Sequence, residues 1–526
     1  MRQTMLWCCL VMLIALGTAW GDVRLPHLFS DNMVLQREQP ISVWGWADPG
    51  EVVTVTLRMA TAKATANALG EWSVQLPALK EGEGLTLTVA ARNTLVLKNL
   101  IMGDVWICSG QSNMEMMVTS CNCPDDIKAA DFPKIRRLKI DHIPSANPEH
   151  DFPRTAWTGL WVPCAPPTVT AFTAAGFFFA RDIFQRTGVP IGLIDVSWGG
   201  TPIEPWYAPA GLAGIPEMAL WQKEYDTAMT EYHARLPKEL DRMEAWLKAA
   251  RAAQAANQEI PTPPTPPAPA LWTPGDGPRD FTLFNGMISP LVRFPIKGAL
   301  WYQGESNGGD SDIYYHKMRA LIGGWRAMWK QGDFPFYYVQ LASYVAPTDN
   351  PAGGDGWANI RNAQTKALAI SHTGIATAVD IGDAANIHPT DKLDVGLRLA
   401  RWALHNEYGM KDLVPGGPIF KEMKVDGNAI RLSFDYLGSG LMIGKKTGPA
   451  PTVEDKDGKL TRFAIAGADK QWVWADAVID GNTVVVSSAK VPEPVAVRYA
   501  YSCNPAGANL YNKEGLPALP FRTDNW

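Results

Sequence analysis

From Val23 to about Asn99, apolar and polar residues alternate in short runs separated by turn residues: Ile41-Ser-Val-Trp-Gly-Trp46, Val52-Val-Thr-Val-Thr-Leu57, Trp72-Ser-Val-Gln-Leu76 and Leu85-Thr-Leu-Thr-Val89. A period of two sends successive side chains to opposite faces of an extended strand, so the stretch predicts half-buried strands folded into a small β-sandwich. Beyond Gly103 the pattern changes to continuous apolar runs that alternate with amphipathic stretches. That is the mark of parallel strands covered on both faces and of the helices that cross over between them. Strands are predicted at Asp104 to Ser109, Gly192 to Ser197, Ala299 to Tyr302, Phe336 to Leu341 and Ile375 to Asp380. Helices are predicted near Phe172 to Thr187, Ile313 to Trp329, Trp357 to Ile370 and Lys392 to Asn406. Five such strands fill a flavodoxin-like parallel sheet.

One excursion interrupts this layer. Glu217 to Gln258 is rich in Ala, Lys and Glu at helical period, and Ile260 to Pro269 is a Pro-rich tract, which together predict a helical insertion with a stiff connector at about 210–275. From about Val414 the short alternating runs return, in Ala429-Ile-Arg-Leu-Ser-Phe434, Thr483-Val-Val-Val-Ser487 and Ala496-Val-Arg-Tyr-Ala-Tyr501. The expected organisation is an α/β protein: a β-sandwich at 22–99, the parallel α/β layer at 100–411, and a C-terminal β-rich domain at 412–526 that packs on it. Neither β-rich region carries a chemical constellation of its own, which suits packing or binding roles.

Composition narrows the partners. Lys and Arg number 48 against 53 Asp and Glu, a formal net charge of -5, so there is no basic field to hold a phosphate backbone and nucleic acid is excluded as an expected partner. Residues 1–21 have the form of a secretory signal, with Arg2, an apolar stretch from Met5 to Gly17, and Ala19-Trp20-Gly21 as a cleavage site. That apolar run is short of the roughly 20 residues that span a bilayer. The chain is therefore expected to be exported to the periplasm or outside the cell, with no membrane span and a mature start near Asp22. Cleavage leaves Cys108, Cys121, Cys123, Cys164 and Cys503 in an oxidising compartment, where one or two disulfides are open to it, Cys121 or Cys123 with Cys164 foremost. No second Cys/His pair follows Cys121 and Cys123 at zinc spacing, so no metal is expected. The 21 Trp residues suit buried β-cores first and stacking platforms for sugar rings second. Oligomeric state is left open by the pattern.

The chemistry sits at strand ends. Ser112, in Cys108-Ser-Gly-Gln-Ser-Asn-Met114, follows a buried strand where the carboxyl edge of a parallel sheet opens into a crevice. It is either a nucleophile projected by the turn at Gly110 or the N-cap of a helix. Ser197-Trp-Gly-Gly-Thr-Pro202 brings a Gly-Gly main chain to the same edge, able to donate N–H groups to an oxyanion. Trp301-Tyr-Gln-Gly-Glu-Ser-Asn307 adds Gln303 as an amide donor and Glu305 as a carboxylate, and Asn113 and Glu305 are candidates for holding substrate. His388 lies in Asp380-Ile-Gly-Asp-Ala-Ala-Asn-Ile-His-Pro389, the strand-to-helix loop on the same edge, whereas the other seven of the eight His lie in no comparable motif.

Together these motifs resemble the sialate O-acetylesterase family of the SGNH hydrolases, most closely in Gly-Asp-Val-Trp-Ile-Cys-Ser-Gly-Gln-Ser-Asn-Met-Glu-Met at 103–116. The likeness extends from Leu28-Phe-Ser-Asp-Asn-Met-Val-Leu-Gln36 to Asn509-Leu-Tyr-Asn-Lys-Glu-Gly-Leu-Pro-Ala-Leu-Pro-Phe-Arg-Thr-Asp524. It implies a flavodoxin-like SGNH layer and a serine esterase without a cofactor. Ser112 would be the nucleophile and His388 the base, with the N–H groups of Ser112 and Gly200 and the Gln303 amide forming the oxyanion hole. The implied substrate is an acetylated carbohydrate, foremost an O-acetylated sialic acid, with acetyl-xylan or another polysaccharide as the rival. Many relatives place an Asp two or three residues before the catalytic His, where this chain has Ala385 and Asn386. Asp383 curling back, Asn386, or a backbone carbonyl would then orient the ring. Arg279, Arg361 and Arg522 are positional candidates for a sialate carboxylate. A reading from another class is a carbohydrate-binding protein that has lost catalysis.

Overall fold

A computed structural model of the chain describes residues 22–155, 158–265, 267–269 and 279–526. The expected signal at 1–21 and parts of the Pro-rich insertion lie outside the described residues. No described helix is long and apolar enough to cross a membrane.

The switch from alternating to continuous apolar pattern near residue 100 falls inside one strand, Thr94–Gly110, of 17 residues. Its first half pairs antiparallel with Leu85–Ala90 and is covered on one side only. Its second half runs parallel between Ile191–Ser197 and Gly298–Tyr302 and is buried throughout. A strand covered on both faces has no reason to alternate. The sequence boundary is thus a change of surroundings along one strand, which bulges there at Asn99, at φ +56°.

The five expected strands adjoin as Thr373–Thr377, Phe336–Gln340, Gly298–Tyr302, Thr94–Gly110 and Ile191–Ser197, all parallel. Two unexpected strands extend the sheet beyond Ile191–Ser197: Phe132–Lys139, parallel, and Trp161–Cys164, antiparallel at the edge. Phe132–Lys139 escapes pattern reading because it buries arginines. Arg136 donates to the carbonyls of Asn32 and Asn99 at 2.8 and 2.5 Å, and Arg137 donates to that of Ala171 at 2.5 Å.

Four longer helices cover the sheet: Ala174–Thr187, Ile313–Trp329, Gly356–Lys366 and Lys392–Asn406. The first and last pack so closely that a Cβ on Gly396 would lie 2.5 Å from Phe178 Cβ and 2.7 Å from Phe179 N. The insertion forms a helix at Ala219–Ala255, exposed apart from a narrow stripe, and the chain then returns along it, with Trp246 Nε1 donating to Pro261 O at 2.8 Å.

The N-terminal strands and the α/β layer share a single apolar core, running from Leu28 and Val34 through Trp106 and Phe179 to Leu404. The C-terminal strands enclose a second core around Ile430, Val486, Tyr499 and Phe521. Arg361, fully buried, joins the two units by donating to the carbonyls of Leu341, Ala342, Ser502 and Cys503 at 2.7–2.9 Å. Its guanidinium is therefore not available to a substrate carboxylate. The five cysteines among the described residues, Cys108, Cys121, Cys123, Cys164 and Cys503, are free thiols. In place of the expected pairing, Cys121, Cys123 and Cys164 donate to the carbonyls of Met117, Val118 and Ala130.

Candidate active site

The serine strand ends at Gly110, where φ is +132° and an added Cβ would fall 2.2 Å from the carbonyl oxygen of Tyr302. Only glycine tolerates that approach. Gln111 then donates its N–H to Tyr302 O at 3.0 Å and accepts from Met114 and Glu115, which closes a one-turn helix at Ser112–Glu115. Gln111, not Ser112, is the N-cap, and no side chain caps this helix. The Ser112 hydroxyl points instead to His388, with Oγ 2.7 Å from Nε2.

His388 reaches this position on the loop between Thr373–Thr377 and Lys392–Asn406. The root of the loop is fixed by Asp380, which receives both Arg398 nitrogens at 2.6 and 2.8 Å and the Tyr511 hydroxyl, from the C-terminal unit, at 3.1 Å. Asp383 is exposed and accepts the N–H of Ala385 at 2.8 Å, a local turn bond. Asn386 Oδ1 accepts the backbone N–H of His388 at 2.9 Å. Among the described residues no carboxylate makes a hydrogen bond or ion pair with the His388 ring. Partial burial and the nearby Lys392 ammonium hold its pKa below the ordinary histidine value, so the resting imidazole is neutral.

Behind this pair lies a buried polar chain that sequence reading left unassembled. Asn113 Nδ2 donates to Glu305 Oε1 at 2.6 Å and to Ile387 O at 3.0 Å, and Asn113 Oδ1 accepts from Lys392 Nζ at 2.8 Å. Lys392 has no exposed surface and also donates to Pro389 O. Burial pulls its pKa down to about 8. Burial likewise raises that of Glu305, whose Oε2 is enclosed with no hydrogen-bond partner among the described residues. Asn113 and Glu305, the candidates for holding substrate, are hydrogen-bonded to one another.

Of the three oxyanion candidates, Gln303 and Gly200 are placed differently. Gln303 is fully buried, with Nε2 committed to Asn307 Oδ1 at 2.7 Å, Gln111 Oε1 at 3.1 Å and Thr201 O at 3.3 Å, while its Oε1 accepts from Tyr314. Gly200 is exposed at φ +76°, and among the described residues nothing accepts its N–H. The adjoining Gly199 donates to Glu115 Oε2 at 2.7 Å, and an added Cβ there would lie 3.2 Å from Ser112 Cβ, so this loop rests directly against the serine. Glu115 Oε1 also holds His142 Nε2 at 2.7 Å, and the His142 ring stacks on Trp198 at 4.4 Å. Arg522 pairs with Asp524, and Arg279 is exposed. A cleft of about 890 Å³ borders the histidine loop and is lined by Asp125, Asp126, Asp383 and Asp391 and by Lys446, which pairs with Asp394.

A hydroxyl held against an imidazole at the carboxyl edge of a parallel sheet is a hydrolase framework, and comparison with known proteins makes this chain a carboxylic ester hydrolase. It belongs to the carbohydrate esterase, sialic acid-specific acetylesterase family, whose sequence model matches residues 102–247 and 271–405. Sialate O-acetylesterases from Rattus norvegicus and Homo sapiens are 29% and 28% identical to it, each over 95% of this chain and 94% of the relative. The crystal structure of a carbohydrate acetylesterase from Xanthomonas citri matches it with a TM-score of 0.78 at 35% identity, over 96% of this chain and 100% of that one.

Proposed function

We propose that this chain is a serine esterase that removes O-acetyl groups from sugars, O-acetylated sialic acids first among them, through a Ser112–His388 dyad. The observation that carries the reading is the 2.7 Å contact between Ser112 Oγ and His388 Nε2. His388, neutral at rest, takes the serine proton as Oγ attacks the acetyl carbonyl. It then returns that proton to the departing sugar oxygen, leaving an acetyl-enzyme. Water, deprotonated by the same imidazole, releases acetate and restores the serine. The N–H groups of Gly200 and Ser112 serve the oxyanion, since nothing described accepts from either. Gln303, its amide hydrogens already engaged, fixes the loops that present them. The strand order supports an SGNH-type layer.

The choice of sialate rests on what the curated relatives are named to act on. A neutral acetylated polysaccharide is the second reading, favoured by the internal commitment of Arg361 and Arg522 and by the acidic wall of the neighbouring cleft. Acetate release from di-O-acetylated sialic acid against acetyl-xylan separates the two. Export through a cleaved leader is part of the proposal, checked by a mature N-terminus near Asp22. Ser112→Ala and His388→Ala should each lower turnover of p-nitrophenyl acetate by several orders of magnitude. An undiminished rate in either sinks the esterase reading, and failure of a fluorophosphonate to label Ser112 would favour a binding protein without catalysis.

A further inference from the structure

The His388 segment is held by its backbone, and the holding groups converge on one buried cation. Asn113 Nδ2 donates to the carbonyl before the histidine, Ile387 O at 3.0 Å, and Lys392 Nζ donates to the carbonyl after it, Pro389 O at 2.5 Å. The same ammonium donates to Asn113 Oδ1 at 2.8 Å, and Asn113 is the residue next to the nucleophile. The charge therefore ties the serine helix to the far side of the base directly, and to the near side through the Asn113 amide. Burying a lysine is costly, and an apolar side chain of similar volume would serve packing alone at least as well. A purely structural role leaves unexplained why the charge stands here.

We propose that Lys392 is a positioning residue of the Ser112–His388 pair, its ammonium clamping the histidine loop onto the serine helix in the place where a triad would use a carboxylate on the ring. The inference rests on the esterase reading given above. The charge also acts on the ring. A triad carboxylate favours the protonated imidazole, whereas a cation disfavours it and keeps the base free to accept a proton at lower pH. The groups facing Lys392 are Glu305 from the loop after Gly298–Tyr302, Cys121 from the segment after the serine helix, Asp391 at its own helix start, and the Tyr302 ring. Asp383, on the histidine loop, is exposed.

The test is the pH profile of kcat and kcat/KM for wild type, Lys392→Met and Lys392→Arg, with active sites counted by fluorophosphonate titration. Lys392→Met should lose about 100-fold in kcat per active site, since a misplaced base costs about that much. Its KM should stay within about threefold. The acid limb of kcat/KM should move to higher pH, because the nearby positive charge is gone. Lys392→Arg keeps the charge but not the fit, so kcat falls while the limb stays. Wild-type kcat per site in Lys392→Met, or a loss confined to the number of active sites with the limb unmoved, overturns the proposal. Should Lys392→Met fail to fold, NMR titration of His388 in Lys392→Gln against the wild type decides: burial of the ring lowers its pKa in both, so a higher midpoint without the charge supports the clamp, and an unmoved midpoint refutes it. If wild type neither labels nor hydrolyses any ester, the esterase reading fails on its own, and that titration still reports on the lysine.

Discussion

Replacing Gly110 by Ala tests whether the turn beneath the nucleophile is as tight as the geometry requires. The new Cβ would stand 2.2 Å from Tyr302 O, 2.7 Å from its carbonyl carbon and 2.9 Å from its nitrogen, where ordinary contact begins near 3.4 Å. All three atoms are backbone in the neighbouring buried strand, so relief demands a main-chain shift of about 1 Å. The positive φ adds about 1–2 kcal/mol for an L-residue and the overpacking about 1–3 kcal/mol, together about 2–5 kcal/mol of stability. A 1 Å displacement of Ser112 from His388 costs about 100-fold in kcat. Gly188→Ala is the control, because Gly188 also has positive φ (+71°) but nothing within 4 Å of an added Cβ. It should show the conformational penalty alone and full activity. Urea denaturation and p-nitrophenyl acetate kinetics on both variants give the answer. If Gly110→Ala is no less stable than Gly188→Ala and keeps wild-type kcat, the reasoning about this turn is wrong.

Three further outcomes follow from groups around the pair. Asp383→Ala should change kcat/KM by no more than about threefold, because its carboxylate is exposed and bonds only its own loop; a drop of about 1000-fold would make it the missing acid. Arg361→Met strips the donor from four buried carbonyls and should destabilise the fold by about 3–5 kcal/mol in urea titration; a loss under about 1 kcal/mol would mean the two cores are joined by other contacts. The wild-type acid limb of kcat/KM should lie below pH 6.5, since burial and the Lys392 charge lower the His388 pKa and the base works only unprotonated; a limb above that value contradicts the assignment.

The parts of the fold that follow from a simple period were readable in advance. Ile313–Trp329 and Lys392–Asn406 lie where their apolar spacing puts them, and Ser112 and His388 meet because both lie in connections that leave strands of a parallel sheet at the same edge. What pattern cannot reveal is where a polar side chain spends its hydrogen bonds. Arg136 looks solvated in sequence yet crosses to two carbonyls inside the sheet edge, which hid the strand that carries it. Lys392 looks like the polar face of an amphipathic helix, and Gln303 like a free donor, because nothing in their motifs shows that Asn113 and Gln111 meet them from across the site or that Pro389 and Asn307 turn their oxygens inward. The Cys121, Cys123 and Cys164 spacing likewise says nothing about which carbonyl each thiol meets.

The strand Thr94–Gly110 has a practical meaning for anyone who wishes to shorten the protein. At roughly 3.3 Å per residue it follows roughly 55 Å of chain, bulging at Asn99 but without a loop, from the N-terminal sheet at one end to the nucleophile at the other. No flexible joint lies between them to cut. Removing the first hundred residues would take the first part of the strand together with its partner Leu85–Ala90, and would strip Ile101–Gly103 of its parallel partner Val34–Gln36 and of the packing from Leu28, leaving the root of the nucleophile's strand frayed and its unpaired edge open to other chains. The N-terminal β-region therefore acts as a keel for the active serine, and the two would be lost together.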